Sequence, residues 1–177
     1  MKYLRRGIWY IAGRLLVLCL VLGLMITVFY YTMNLNNIQI VLKDGMATRA
    51  KYVMDVSTER SDLDKFFLAG CLDSDEWVTA ADQENSPYIN YNIRGIDHRL
   101  DMGYFWLWPW DSSVWVSITE RIPKIDGRAK SLKADELIAA GGEKALFPPE
   151  WPEAAYRVRL TKENGRWKIS DLIRQGP

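Results

Sequence analysis

Asp97-His98-Arg99 with Asp101 is the one stretch whose residue types suit acid–base chemistry. Histidine is the usual general base near neutral pH, and aspartate is a frequent carrier of the same work. Asp97 and His98 are, however, neighbours on a predicted strand, so their side chains point to opposite faces unless a bulge intervenes. The plainer reading is a polar strand end beside a turn, where His98→Ala would cost about 1 kcal/mol or less. Metal binding has less behind it, because the chain holds one His, no paired cysteines and no ligand-like spacing of carboxylates. No P-loop, dinucleotide-binding glycine pattern or serine elbow is present. No cofactor and no metal is expected, Asp97 and His98 are the only catalytic candidates, and the chain reads as non-enzymatic.

A second stretch is chemically distinctive for what it lacks. Tyr104 to Trp110 reads YFWLWPW, with no charge and five aromatic rings. Alternation sets Tyr104, Trp106 and Trp108 on one side and Phe105 and Leu107 on the other. As core it is a strand buried on both faces and ended by Pro109. As surface, with Trp110, it is an apolar patch for a partner or for the outer face of a membrane. Both sides cannot easily be wet, so at least one is buried.

The element that positions all of this runs from Leu15 to Met33, without a charged residue. At ~1.5 Å per residue it spans roughly 28 Å, enough for a hydrocarbon core of ~30 Å. Trp9 and Tyr10 on one side, Tyr30 and Tyr31 on the other, stand where aromatic belts would. Lys2, Arg5, Arg6 and Arg14 precede it, and no acidic residue comes before Asp44. This bias places residues 1–14 in the cytoplasm, 15–33 in the membrane and 34–177 outside. Arg14 would snorkel back to the headgroups. A cleaved signal has a shorter apolar core ending in small residues, and this one runs into Phe29, Tyr30 and Tyr31. The anchor is therefore read as retained.

All 22 acidic residues follow the span, against 19 of the 23 basic ones, so the outer part is near −3. That balance implies neither a nucleic-acid face nor a basic lipid-binding patch. Cys19 lies in the span and Cys71 in the outer domain, so they cannot pair within one chain. Cys71 follows an apolar helical pattern and reads as a buried thiol.

Beyond the span the spacing turns amphipathic. Ile38, Val41, Leu42, Met46, Ala50, Val53 and Met54 recur at three and four residues, with Lys43, Asp44, Arg49 and Lys51 opposite. This predicts a long first helix, continuous with the span or broken near Asn34–Asn37. Ser61 opens S-D-L-D like a capping box, and Leu63, Phe66, Phe67, Gly70 and Cys71 form one face of a second helix. Residues 73–86 hold another turn or two.

At Tyr88 the period changes to two: Ile89, Tyr91 and Ile93, then, past Gly95, Ile96 and Leu100. A parity slip at glycine is what a β-bulge looks like. Val114, Val116 and Ile118 mark a second strand, and residues 123–153 read as an inserted loop with a short helix at Ala134–Ala140. Tyr156, Val158 and Leu160, then Asn164-Gly165, then Trp167 and Ile169 form a hairpin. The fold class is α+β: an N-terminal transmembrane helix, then two or three helices packed on a curved antiparallel sheet of about four strands.

Val158, Leu160, Gly165, Trp167, Lys168, Ile169, Asp171 and Leu172 carry a terminal motif, xVxLxxxxGxWKIxDL. With two helices and a bent strand ahead of it, the chain resembles the nuclear transport factor two-like superfamily of cone-shaped, cystatin-like rolls over residues 36–173. The 123–153 stretch departs from that pattern. The resemblance implies a cone in which some superfamily enzymes use an Asp or an Asp–His pair. A single span with such a domain is similar to bitopic assembly subunits of type IV secretion and conjugation machines, and to ring-forming proteins of sporulation channels. The expected role is an assembly or scaffolding module of a bacterial envelope complex, with lipid and other envelope proteins as partners and no nucleic acid. The alternative is a small-molecule-binding or hydrolytic cone using Asp97 or His98. Cys19, Gly23 and Thr27 make the span's only small-residue face. Residues 36–177 alone are therefore expected to be monomeric, with oligomers needing the span or a partner.

Overall fold

The computed structural model describes the backbone of residues 2–176 and the side chains of residues 9–176. The side chains of Lys2, Arg5 and Arg6, on which the expected orientation rests, lie outside the described residues. Helix α1, Lys2–Val53, is one unbroken rod of 52 residues. Nothing interrupts it at Asn34–Asn37. Its apolar half reaches a mean hydropathy of 2.5 over residues of which none is buried, so it is long and apolar enough to cross a membrane. Leu15, Gly23 and Met33 are exposed there, and Tyr31 is half-buried. The two threonine hydroxyls inside it are satisfied locally: Thr27 donates to Gly23 O at 2.9 Å and Thr32 to Val28 O at 3.0 Å. The Arg14 guanidinium lies 4.5 Å from the centre of the Tyr10 ring, one turn back toward the N-terminus, the direction expected for snorkelling.

The second half of α1 is the spine of the domain. Ile38, Leu42, Met46, Ala50 and Val53 are all buried, since spacings of three and four keep them on one side of the helix. The same helix packs so closely at Gly45 that a side chain there would fit only if its neighbours gave way by a few tenths of an ångström. A Cβ there would sit 3.1 Å from both Ile169 Cδ1 and Phe66 Cβ.

Four strands follow three short helices. These are α2 (Arg60–Leu63), α3 (Ala69–Asp73) and α4 (Glu76–Asp82), then β1 (Tyr91–Met102), β2 (Ser113–Ala129), β3 (Ala154–Glu163) and β4 (Arg166–Gln175). A fifth helix, α5, covers Ala134–Gly141 between β2 and β3. The sheet is an antiparallel meander in the order β1-β2-β3-β4. Val114, Val116, Ile118, Tyr156, Val158, Leu160, Trp167 and Ile169 line its inner face in one cluster with the α1 stripe. The last turn is as predicted: Asn164 and Gly165 have φ of 50° and 80°, the pair of positive values that a two-residue hairpin requires.

Several expectations are corrected. The N-cap of α2 is Glu59, which forms the capping box with Asp62, two residues ahead of Ser61. The predicted second helix divides into α2 and α3. Between them Phe67 bridges to Ile169, and the Phe66 and Leu68 backbones bond to that same residue. A strand-like contact to β4 won over a continuous helix. Strand β1 begins at Tyr91 rather than Tyr88, because residues 88–90 form a turn. The slip at Gly95 is present, with a register shift between Ile93 and Gly95.

The inserted loop is shorter than 123–153, because β2 continues to Ala129. A second irregularity lies opposite His98, where Asp97 pairs with Lys124 and Arg99 with Arg121, leaving Ile122 and Pro123 between. Proline lacks a donor and is tolerated at such a bulge. The extra residue flips the parity of β2, which is why a single alternation does not run through it.

Tyr104–Trp110 is not a strand. It forms an irregular loop between β1 and β2. Phe105 and Leu107 are buried and Tyr104, Trp106, Trp108 and Trp110 are exposed, so one side is in the core.

Candidate functional site

Ionisable residues from four separate elements meet beneath α1. Arg49, assigned to the polar face of α1 by residue type, is instead fully buried. It lies seven residues from Leu42 and three from Met46, so helical spacing sets it on the core stripe. Its Nε donates to Asp75 Oδ2, and its Nη2 to Asp75 Oδ1 at 3.0 Å. That fork-on-carboxylate geometry is the strong form of such a pair. Asp75 is also the N-cap of α4, accepting the Trp77 N–H at 3.0 Å. One carboxylate thus starts a helix and pins it to α1.

On the other side Arg49 Nη1 stands 3.6 Å from Glu120 Oε2, and Glu120 Oε1 is 3.0 Å from His98 Nε2. Both side chains lie on the inner face of the sheet. Glu120 shares the parity of Val114, Val116 and Ile118, and His98 that of Ile96 and Leu100 after the Gly95 bulge. The Glu120 carboxylate is thus flanked by the Arg49 guanidinium and the His98 ring, although Arg49 Nη1 and Glu120 Oε2 stand too far apart to bond and neither has another partner among the described residues. Burial alone would lower the Arg49 pKa; the hydrogen bond to Asp75 and the charges of Asp75 and Glu120 outweigh it and hold it above the ordinary arginine value. Burial likewise raises the Tyr156 hydroxyl.

The cluster is roofed by aromatic rings. The guanidinium of Arg49 lies 5.9 Å from the Trp151 ring centre and 5.7 Å from that of Tyr156. Trp151, at the end of the loop before β3, packs against Trp77 at 5.0 Å and Tyr88 at 6.0 Å. A cleft of about 270 Å³ reaches Arg49 and Asp75 between Trp77, Tyr156, Leu172 and Arg174. Ligand sites generally begin near ~300 Å³. A wider hollow, about 740 Å³, lies at the far end of β1 and β2 beside Arg94, Lys124 and Arg128, and includes no member of the cluster.

Of the two candidates from the sequence, only His98 belongs to this site. Asp97 points outward and accepts from Arg99 Nη2 at 2.8 Å. Asp101 pairs with Arg121 on the surface. The expectation that His98 is an exposed strand end is overturned, since its side chain is 9 % exposed and bonded to Glu120. His98→Ala should therefore cost about 1–3 kcal/mol, the penalty for stranding a buried carboxylate oxygen. Asp97→Asn should change stability by about 0.5 kcal/mol or less. Urea titration of both variants, followed by tryptophan fluorescence, reads the difference. Equal midpoints would place His98 outside the core. Among the described residues, no group of three His, Cys, Asp or Glu side chains is placed to hold a metal ion.

The second site is the aromatic loop. Trp106 packs on Tyr31 with ring centres 5.4 Å apart, and Trp108 lies edge-on to Trp106 at 5.5 Å. Trp110 stacks on Trp108 at 5.2 Å and 9°. Asp111 Oδ2 accepts the Trp108 N–H at 2.8 Å, and the Asp111 N–H donates to Trp108 O at 3.0 Å, closing a turn. Asn34 anchors the loop to α1. Its Nδ2 donates to Pro109 O at 3.1 Å, and its Oδ1 accepts from Trp167 Nε1 at 3.3 Å.

No family model, curated protein sequence or solved structure matches the chain.

Proposed function

We propose that this chain is a single-pass membrane protein whose domain, residues 34–177, acts outside the membrane as an assembly or scaffolding module of a bacterial envelope complex. The observation that carries this reading is the continuity of α1. One helix of 52 residues is bare over its apolar half and forms the spine of the domain over the other half. No hinge separates anchor from domain, as suits a part that holds others at a fixed height and orientation. The buried cluster supports the same reading: Arg49, Asp75, Glu120 and His98 engage one another side chain to side chain, joining α1, α4, β1 and β2. Helices on one face of a bulged four-stranded sheet, ending in the Val158–Leu172 hairpin, support the resemblance to the cone-shaped superfamily. A hydrolytic or ligand-binding role draws support only from the cleft beside Arg49 and Asp75, whose lining includes neither His98 nor Glu120.

The full chain, extracted from its host's membranes in a mild detergent, should run on native-mass measurement as a stoichiometric complex with other envelope proteins. Recovery only as a 20.5 kDa monomer in its micelle would overturn the scaffold reading.

Orientation has its own test. Ser131 is exposed at the end of β2. In a Cys19→Ala background, Ser131→Cys should label with an impermeant maleimide on intact cells. Cys71 should stay silent, since burial pushes its thiol up to about 12. Labelling of Ser131→Cys only after lysis would reverse the topology.

A further inference from the structure

We propose that the loop 104–110 is an interfacial foot, seated in the headgroup region of the outer leaflet beside the span, and that it sets the depth and tilt of the domain. The proposal rests on the reading of α1 as a membrane span and adds a second, separate contact with lipid.

Four observations converge on it. The first is height. Twenty-two residues at ~1.5 Å per residue put Tyr31 about 33 Å along the axis from Trp9, close to one hydrocarbon thickness of ~30 Å. With Trp9 and Tyr10 at the inner interface, Tyr31 falls at the outer one. Trp106 packs directly on Tyr31, so the loop starts at that level.

The second is exposure. Tyr104, Trp106, Trp108 and Trp110 are 87, 54, 48 and 72 % exposed, four large rings within seven residues. Such a patch in water is costly, whereas the bilayer interface favours Trp and Tyr, apolar bodies with a polar edge. Continuity with the bare half of α1 says which apolar medium covers it.

The third is presentation. The Trp108–Asp111 turn and the Asn34–Pro109 bond hold the rings outward while Phe105 and Leu107 fasten the loop's inner side to the core. The rings are displayed by a braced loop.

The fourth is the neighbouring hairpin tip. The Lys162 N–H donates to Ser112 O at 2.8 Å, bringing the β3–β4 turn alongside the loop. Lys162 and the exposed Arg166 stand there, while Glu163 is engaged by Lys168 at 3.0 Å. The Lys162 ammonium lies 5.0 Å from the Trp167 ring centre, so Arg166 is the exposed cation that this hairpin tip offers to lipid phosphates.

The test is a depth measurement on the full chain in vesicles of phosphatidylcholine and phosphatidylglycerol, where no protein partner is present. Nitroxide labels are attached singly at Tyr104→Cys, Trp110→Cys, Val21→Cys and Leu132→Cys in a Cys19→Ala background. Collision with oxygen is compared with collision with a water-soluble nickel chelate. Val21 reports the middle of the span, and Leu132, fully exposed at the opposite end of β2, reports water. The expected result is that the labels at 104 and 110 favour oxygen, as at Val21 though less deeply, and that the label at Leu132 favours nickel. Labels at 104 and 110 as wet as that at Leu132, with Val21 shielded, would overturn the foot and leave the span intact. Shielding of 104 and 110 from both reagents would mean that a second copy covers the loop, and would overturn it as well. A wet Val21 would remove the span and the foot together.

Discussion

Arg49→Met should destabilise the domain by about 3–5 kcal/mol. Methionine roughly conserves the volume of the side chain, so the loss reads the charge rather than a cavity. Without the guanidinium, Asp75 and Glu120 face each other's field in a dry interior and lose the one arginine placed between them. An uncompensated buried carboxylate is among the most expensive things a core can hold. Arg49→Lys should recover only part of the loss, because an ammonium cannot donate in parallel to both oxygens of Asp75 while reaching Glu120. Urea unfolding in detergent, followed by the fluorescence of the eight tryptophans rather than by helicity, is the suitable measurement, since α1 keeps its helix in the micelle whatever the domain does. A loss below about 1 kcal/mol would mean that water reaches the cluster through the cleft beside Tyr156, and that the charges are solvated in place.

Trp167→Ala should cost a similar amount, on the order of 3–5 kcal/mol, by a different route. Trp167 is buried in the inner face of β4 two residues after the turn glycine, and its removal leaves a cavity that a meander edge cannot easily collapse. Its indole N–H is also the bond that holds Asn34, and Asn34 in turn holds Pro109. Trp167→Phe, which keeps most of the packing and loses the donor, should cost about 1–2 kcal/mol. Asn34→Ala combined with Trp167→Phe should then cost less than the sum of the two, because both break the same bond. Strict additivity would mean that the Asn34–Trp167 contact contributes nothing. The same bond explains a practical point about where the domain begins. A fragment starting at residue 36 lacks Asn34 and Tyr31 and releases the aromatic loop from two of its supports.

Local repetition made much of this protein legible in the sequence. A charge-free run of nineteen residues from Leu15 to Met33 is an apolar helix whatever follows it. Val114-Val116-Ile118 and Tyr156-Val158-Leu160 alternate because a strand has one dry face, and Asn164-Gly165 turns between two such runs because few other pairs adopt positive φ twice. Those signals lie within ten or twenty residues, and the structure agrees with them. Even the sides of the aromatic loop followed from alternation, although its backbone is not a strand.

What the tertiary structure alone decided is the company that polar residues keep. Spacing sets Arg49 on the stripe of Leu42, Met46 and Val53, and Glu120 on that of Val116 and Ile118, but residue type argues the other way for both. Burying either charge alone is prohibitive, and burying it becomes tolerable only when partners from α4 and β1 arrive. No window of sequence contains Arg49, Asp75, His98 and Glu120 together. The far half of β2 was hidden for a related reason. The bulge at Ile122 and Pro123 reverses parity, and only pairing with β1 restores the register that local alternation lost. The aromatic loop completes the pattern: its burial was written locally, but its place beside Tyr31 depends on Asn34 and Trp167, which are 133 residues apart and meet only in the folded chain.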